Sequence, residues 1–207
     1  MKLYSTVYEA AEAEQIIDKS RFIAYVSPAE TKEEADAFIA SIKKKHKDAT
    51  HNVPAMVLGD KFQIQWASDD GEPQGTSGQP TLNVFRSQEI QNFCCVVTRY
   101  FGGTLLGVGG LVRAYSHAAA IAIEEAGVIT YEPYAELELR CGYSEYQKYS
   151  VLLSAANAVI DNVEYASDVC VRFAIRETEK ESIVKKITET GYGKDIPIQT
   201  GARLDYR

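Results

Sequence analysis

Residues Asn92 to Gly127 read NFCCVVTRYFGGTLLGVGGLVRAYSHAAAIAIEEAG and decide how the first part of the chain is expected to fold. The segment from Asn92 to Tyr100 is a continuous apolar run of strand length, which is typical of a strand covered on both faces. From Leu111 onward apolar residues recur at helical spacing, and Gly127 provides a C-terminal stop. We therefore predict a central strand, a glycine-rich turn and a long helix in direct succession.

The glycine-rich turn is a candidate seat for an anion. A turn between a strand and a helix aims backbone N–H groups and the positive end of the helix dipole at whatever lies over it. Close packing of the strand against the helix explains the glycines equally well. The turn lacks the lysine of a phosphate-binding P-loop, since Val108 stands there, and its spacing does not fit dinucleotide binding. The candidate ligand-binding glycines are Gly102, Gly103, Gly107, Gly109 and Gly110.

A second unusual segment, SDDGEPQGTSGQP from Ser68 to Pro80, combines three acids, three glycines and two prolines. Connections longer than about 12 residues tend to be binding loops or disordered segments. Turn-forming residues alone also fit an ordinary surface loop. We predict an ordered recognition loop, here called the acidic loop. Its candidate ligand-binding residues are Asp69, Asp70, Glu72 and Thr76.

Two arginines flank the glycine-rich turn and complete the set of candidate binding residues. Arg99 ends the predicted strand, and Arg113 is expected in the first turn of the helix. Their fork-shaped donors suit a carboxylate or a phosphate. Either both arginines reach one anion over the turn, or they bind the acids of the acidic loop and fix it as an ordered cover.

The chain offers no recognisable catalytic or metal-binding pattern. The adjacent acids Asp69 and Asp70 are more typical of a helix cap or a solvated loop than of a metal site. His51 and His117 have no nucleophile at a familiar spacing, although a Ser-His-Asp triad assembled in space stays open. We assign no catalytic residue, no metal ligand and no cofactor, and we lean against an enzyme.

Composition indicates a protein of the cytoplasm. The chain of 207 residues is 45% hydrophobic, and it contains neither an apolar run of membrane-spanning length nor a signal-peptide core. Its formal charge of −7 argues against a protein that coats nucleic acid. Four cysteines without ligand spacing are expected to be buried, reduced thiols. They are Cys94, Cys95, Cys141 and Cys170.

Upstream of the acidic loop we predict one helix and one hairpin. The segment TKEEADAFIASIKKKHKDA begins with a capping box formed by Thr31 and Glu34. The basic run KKKHK at its end is better explained by the negative end of the helix dipole than by a binding site for RNA. NVPAMVLGD and KFQIQWAS then form a hairpin that turns at Gly59 and Asp60, with Trp66 expected in a core or an interface.

From Tyr134 the pattern changes to strand, helix, strand, strand, helix and strand. This order predicts a ferredoxin-like βαββαβ domain in an α+β protein. Pro133 is the predicted boundary, which gives domains of residues 1–133 and 134–207. The capping pairs Ser144 with Gln147 and Thr178 with Glu181 are expected to begin the two helices.

The motifs resemble those of the Impact protein family in its bacterial two-domain form. They are KSRFI at 19–23, ATH at 49–51, the acidic loop and VVTRYFGGTLLGVGGLVRAY at 96–115. The resemblance covers the first domain, and it implies a fold similar to the second domain of ribosomal protein S5. For the second domain it implies a fold similar to a ferredoxin-like domain of the translocation factor G.

The resemblance also implies a function linked to translation. Eukaryotic family members regulate translation by competing for a ribosome-associated activator of the amino-acid-starvation kinase. The expectation is therefore a cytosolic regulatory protein that binds the translation apparatus, RNA or a protein partner. The alternative, from the residues themselves, is an enzyme or sensor for a small anionic ligand such as a nucleotide or a phosphorylated metabolite on the glycine-rich turn.

Overall fold

The computed structural model describes residues 3–59 and 61–206, which contain five helices and ten strands in two five-stranded sheets. This architecture confirms the predicted α+β class. The internal contacts of the chain divide it into an N-terminal unit, Tyr4–Thr130, and a C-terminal unit formed by Leu3 and the residues from Tyr131 onward.

The N-terminal unit holds six complete strands and three helices. Its sheet has the order β2-β3-β6-β4-β5, and every neighbouring pair in it is antiparallel. The elements are β1 Tyr4–Val7, β2 Ala11–Ile17, β3 Ser20–Pro28, α1 Lys32–Lys45, β4 His51–Leu58, β5 Ile64–Ala67, α2 Gly78–Ser87, β6 Phe93–Tyr100 and α3 Gly107–Ala126.

Strand β6 lies at the centre of this sheet and is covered on both faces, as its apolar run predicts. Cys95 and Val97 belong to the core that contains residues of α2 and α3, whereas Cys94 and Val96 belong to the core that contains residues of α1. The apolar stripe of α3 is buried, and the helix ends at Gly127, which has a φ of 68°. The strand, turn and helix therefore form as the sequence predicts.

All four cysteines are buried and none forms a disulfide, as the sequence predicts. Burial raises the pKa of the Cys94 thiol to about 12 and that of Cys141 to about 11. The thiols therefore stay protonated near neutral pH, in keeping with packing rather than reactivity.

The predicted capping box of α1 is present: Glu34 N–H donates to the Thr31 hydroxyl, and the Glu34 carboxylate accepts from Thr31 N–H. The hairpin forms too, but Leu58 pairs with Ile64, so its connection is longer than two residues. Asp60, part of the predicted turn, lies outside the described residues. Of the two alternatives for Trp66, the core is wrong, because this side chain is half exposed on the short edge strand β5, and the interface stays a prediction.

Helix α2, which follows the acidic loop directly, has no counterpart among the predicted elements. Its sequence GQPTLNVFRS begins with residues that favour turns, and only Leu82 and Phe85 give it a strong apolar face. Phe85 stacks on Phe93 of β6 at a centroid distance of 3.7 Å. Packing against the sheet therefore stabilises a helix whose local sequence signal is weak.

The C-terminal unit has the ferredoxin-like topology that the sequence predicts. Its strands lie in the order β10-β7-β9-β8, and β7 begins in the N-terminal unit, where β1 pairs with it. The elements are β7 Val128–Cys141, α4 Tyr143–Ala155, β8 Val159–Tyr165, β9 Val169–Arg176, α5 Lys180–Thr190 and β10 Ile198–Asp205.

Pro133, the predicted domain boundary, lies inside β7, which runs through it. The pairing of β7 with β9 begins at Tyr134, one residue after Pro133. The N–H that proline lacks is therefore missing only at the end of the ladder between β7 and β9. Ser144 and Thr178 do not cap their helices, which have Gly142 and Glu179 at the N-cap positions and no side-chain cap.

Candidate functional site

A cavity of 420 Å³ in the N-terminal unit lies where the acidic loop meets the start of α3. The acidic loop and the glycine-rich turn thus border the same space, as expected for a loop that covers the turn. Most of the lining side chains are apolar, and the polar ones gather on one side. The lining residues are Thr50, His51, Gly71, Glu72, Pro73, Arg99, Phe101, Leu105, Leu106, Gly107, Val108 and Leu111.

The polar side of the cavity is built on a buried ion pair between the acidic loop and the central strand. Oε1 of Glu72 accepts hydrogen bonds from Nη1 of Arg99 at 2.6 Å and from the hydroxyl of Tyr115 at 2.8 Å. Burial, followed by the nearby Glu72 carboxylate, raises the pKa of Tyr115 well above its ordinary value, so this hydroxyl stays a donor. The acidic loop is thereby joined to both β6 and α3.

Arg99 also connects this pair to the glycine-rich turn. Its Nη2 donates to the hydroxyl of Ser20 at 3.3 Å, and the same oxygen accepts from the N–H of Gly102 at 3.1 Å. The guanidinium lies 5.4 Å from the ring centroids of both Phe22 and Phe101. Arginine is suited to this position because its planar group can form a forked ion pair and stack on aromatic rings together.

His51 completes the polar side, and its ring orientation is defined by the acidic loop. Its Nδ1 lies 2.8 Å from the carbonyl oxygen of Asp70, which can only accept, so Nδ1 carries the proton. When Nδ1 alone carries a proton, Nε2 is an acceptor, and it lies 3.8 Å from Oε1 of Glu72. The strand register pairs His51 directly with Arg99, which brings the histidine to the cavity.

The acidic loop is ordered by its own hydrogen bonds. The carboxylate of Asp69 accepts from the N–H groups of Gly75, Ser77 and Gly78 and from the Ser77 hydroxyl, at 2.8 to 3.2 Å. Burial opposes ionisation of Asp69, but these donors outweigh it and hold its pKa below the ordinary value. The acid serves as a distant cap for α2, whose own N-cap residue forms no side-chain cap.

Asp70 fixes the other end of the acidic loop. Its carboxylate accepts from the N–H of Asn52 at 2.7 Å and from Nζ of Lys43 at 2.7 Å. Asp70 also adopts a positive φ of 48°, which short polar residues tolerate. Both adjacent acids therefore have structural partners, and the described residues contain no group of three or more potential ligands placed to hold a metal ion.

Residues 18–123 match the family described as the Impact N-terminal domain, and residues 139–194 match a domain of unknown function, DUF1949. The chain belongs to the IMPACT family. It is 39% identical to the IMPACT family member YvyE of Bacillus subtilis, across 92% of this chain and 88% of that protein. It is 35% identical to the IMPACT family member YigZ of Escherichia coli, across 86% and 88%. The resemblance read from the motifs is thus confirmed.

A solved structure of a hypothetical protein has the same architecture. It superimposes on this IMPACT-family chain with a TM-score of 0.60 at 31% identity, and the match covers 97% of this chain and 98% of the other. All residues that line the cavity fall inside the Impact N-terminal match. Among residues 3–59 and 61–206, no helix is long and apolar enough to cross a membrane.

In this IMPACT-family chain the two candidate arginines do not converge. Helix α3 starts at Gly107, so Arg113 lies in its second turn rather than its first. Arg113 is exposed and lines a separate cavity of 410 Å³ with Asp18 and His117. Arg99 alone reaches the acidic loop, through Glu72. The two alternatives for the arginines were an anion over the turn and the acids of the acidic loop. The structure shows the second alternative, and it shows it for Arg99 only.

The glycines of the turn have different roles. A Cβ on Gly102 would lie 2.0 Å from the carbonyl carbon of Lys19, so close packing explains this residue. Gly103 and Gly107 adopt positive φ values of 85° and 68°, and Gly107 alone among the five lines the cavity. The candidates outside its lining are Asp69, Asp70, Thr76, Gly102, Gly103, Gly109, Gly110 and Arg113.

Several residues that build the site are absent from the predicted candidates. His51 is an isolated histidine in the sequence, and Tyr115 reads as one member of an apolar helical stripe. Ser20 lies far from both along the chain, and Phe22 follows it on β3. Strand pairing brings His51 and Phe22 to Arg99, and the packing of α3 adds Tyr115, so no local pattern signals their roles.

Proposed function

We propose that this protein is a cytosolic regulatory protein that binds a protein component of the translation apparatus through the cavity. The observation that carries the proposal is the apolar rim around the cavity, where Phe101, Leu105 and Val108 are 45%, 88% and 65% exposed. Exposed apolar side chains around a concave site are typical of binding surfaces. Membership of the IMPACT family supports the link with translation.

Charge favours a protein partner over RNA. The two cations nearest the acidic loop are already paired, Arg99 with Glu72 and Lys43 with Asp70. The chain as a whole carries a formal charge of −7. Binding to a phosphate backbone needs unpaired cations, since its affinity comes mainly from neutralised phosphates.

A small anionic ligand on the glycine-rich turn is the second candidate. It is favoured by one observation: α3 begins without a side-chain cap, so the N–H groups of its first turn are available to an anion. Two observations weigh against it. Glu72 neutralises Arg99, and Arg113 lies in a different cavity.

Co-sedimentation with purified bacterial ribosomes tests the proposal. We expect the chain to pellet with ribosomes, and we expect Leu105→Asp to reduce the bound fraction at least about tenfold, since it charges an apolar contact. Ile16→Asp is the matched control, because Ile16 is also an exposed aliphatic residue but lies on β2, outside the cavity. Equal loss in both variants, or no ribosome binding by the unaltered chain, would contradict the proposal.

A further inference from the structure

The cavity that we propose as the binding site has a polar side on which several donors are bonded to the protein itself. Nη1 of Arg99 and the hydroxyl of Tyr115 donate to Glu72, and Nη2 of Arg99 donates to Ser20. Nε of Arg99 is enclosed by protein and has no acceptor among the described residues. The proton on Nδ1 of His51 goes to the Asp70 carbonyl. The donors named here that have an acceptor are therefore bonded within the protein.

Two acceptor atoms on the same side of the cavity have no hydrogen-bond donor among the described residues. Both donors to Glu72 converge on Oε1, and no hydrogen bond between described residues reaches its Oε2. Nε2 of His51 has no donor either, and it faces Oε1 of Glu72 at 3.8 Å. Unlike Nε of Arg99, these two acceptors are not fully enclosed by protein, so a group that donates hydrogen bonds can reach them.

The charged side chains beside the cavity narrow the class of ligand further. The carboxylate of Glu72 and the guanidinium of Arg99 balance each other in charge. An anion would meet the lone pairs of Glu72 and His51. A cation would come close to the guanidinium of Arg99, which is almost fully buried and therefore poorly screened.

The remaining wall of the cavity is apolar, so it favours a ligand whose body is also apolar. A cavity of 420 Å³ is within the range of roughly 300 to 1,000 Å³ that small ligands or single side chains of a partner occupy. The aromatic ring of Phe101 at the rim suits an aromatic partner. The apolar lining side chains are Pro73, Phe101, Leu105, Leu106, Val108 and Leu111.

We propose that the cavity binds an uncharged hydrogen-bond donor carried on an apolar or aromatic body, such as a carboxamide or an indole N–H. The donor group would bond to Oε2 of Glu72 and Nε2 of His51, while the body would contact the apolar wall. This inference rests on the proposed function, because it names the chemistry that the same cavity recognises in a partner.

Titration of the ¹⁵N-labelled full chain with four probes of equal body tests the inference. The probes are 3-phenylpropanamide, 3-phenylpropanoate, 3-phenylpropylamine and propylbenzene. We expect the amide to shift resonances of Gly71, Glu72 and residues 105–108, with a Kd about tenfold lower than that of any other probe. Tighter binding of either charged probe or of propylbenzene, or shifts confined to other residues, overturns the inference.

His51→Asn provides the matched variant. Its side-chain amide retains a donor for the Asp70 carbonyl but removes the acceptor at the position of Nε2. We expect it to weaken the binding of 3-phenylpropanamide about fivefold and to leave propylbenzene unchanged. An equal effect on both probes indicates a merely structural role and overturns the assignment of His51.

The two proposals fail in different ways. If no probe binds but Leu105→Asp still abolishes co-sedimentation with ribosomes, the inference about the ligand is wrong and the proposed function stands. If the amide probe binds as expected and ribosomes do not, the cavity chemistry is correct and the translation partner is wrong.

Discussion

Two arginine–carboxylate pairs, one in each unit, have similar chemistry and opposite surroundings. The pair of Arg99 and Glu72 has a distance of 2.6 Å, and its side chains are 6% and 3% exposed. Arg203 binds both oxygens of Asp161 at 2.8 and 2.9 Å, with side chains 29% and 35% exposed. The hydrogen bond with Asp161 raises the pKa of Arg203 above its ordinary value.

The difference in burial between the two pairs indicates which of them belongs to the candidate site. An exposed ion pair contributes little net free energy, because water and salt screen it. A buried pair loses solvation that its attraction only partly restores, so it is better explained by the geometry that it imposes. In this chain the buried pair holds the acidic loop against β6 and α3, where the cavity lies. The exposed pair joins β10 to β8 at the surface of the sheet.

The largest expected effect is that of breaking the buried pair. Arg99→Met leaves the carboxylate of Glu72 buried without its cation, and we expect a loss of about 3 to 5 kcal/mol in the free energy of unfolding. Urea titration followed by the fluorescence of Trp66 measures it, since this is the single tryptophan of the chain and lies in the N-terminal unit.

The double variant Glu72→Gln, Arg99→Met is the control for that measurement. It removes both charges, so we expect it to be more stable than Arg99→Met alone. A double variant that is as unstable as the sum of the two single variants would show that packing, rather than the charge pair, dominates.

An intermediate effect is expected at Asp69, a carboxylate held by neutral donors instead of a guanidinium. Asp69→Ala leaves the start of α2 without its cap, and we expect a loss of about 1 to 2 kcal/mol at pH 7. Because folding lowers the pKa of Asp69, its contribution is present above the unfolded value near 4 and is lost as the pH falls further. The difference between the two proteins should therefore shrink below about pH 4.

Hydrogen exchange localises this effect. Asp69→Ala should speed amide exchange in the acidic loop, residues 68–80. Arg113→Ala is the matched control, since Arg113 lies in the other cavity and should leave that exchange unaltered. Faster exchange of the loop in Arg113→Ala would contradict the separation of the two arginines.

The smallest effect is expected for the exposed pair. Arg203→Met should change the free energy of unfolding of the C-terminal unit by less than about 1 kcal/mol, because the pair is screened by solvent. Amide exchange in β8 and β10, measured at 0.05 and 0.5 M NaCl, checks this. A loss as large as that of Arg99→Met, or one independent of salt, would remove the contrast between the two pairs.

Parts of the fold could be predicted because their signals are local. The capping box of Thr31 and Glu34, the apolar run of β6 and the stop at Gly127 each depend on residues close together in the chain. Helix α2 could not, because its cap, Asp69, lies eight residues before Ser77 and its stability comes from packing. The sequence could not decide between a core and an interface position for Trp66, because an apolar side chain does not reveal whether its strand lies at the edge of a sheet.

The candidate site was predictable only in part. The acidic loop and the glycine-rich turn could be identified as candidate binding segments, because both are rich in residues that form turns and leave backbone groups accessible. The structure places residues of both segments in the lining of one cavity. The sequence could not select Glu72 from three acids as the partner of Arg99. Nor could it exclude Arg113, because the position of Arg113 on α3 depends on where that helix begins.

The sequence by itself determined the family, the α+β class, the central strand and the order of elements in the C-terminal unit, because local periodicity and long motifs encode them. Only the folded structure shows that His51, Glu72 and Arg99 line one cavity and that Tyr115 binds Glu72 beside it. The physical reason is that these contacts join residues distant in the chain. They are set by strand register and by burial, which only the folded chain possesses.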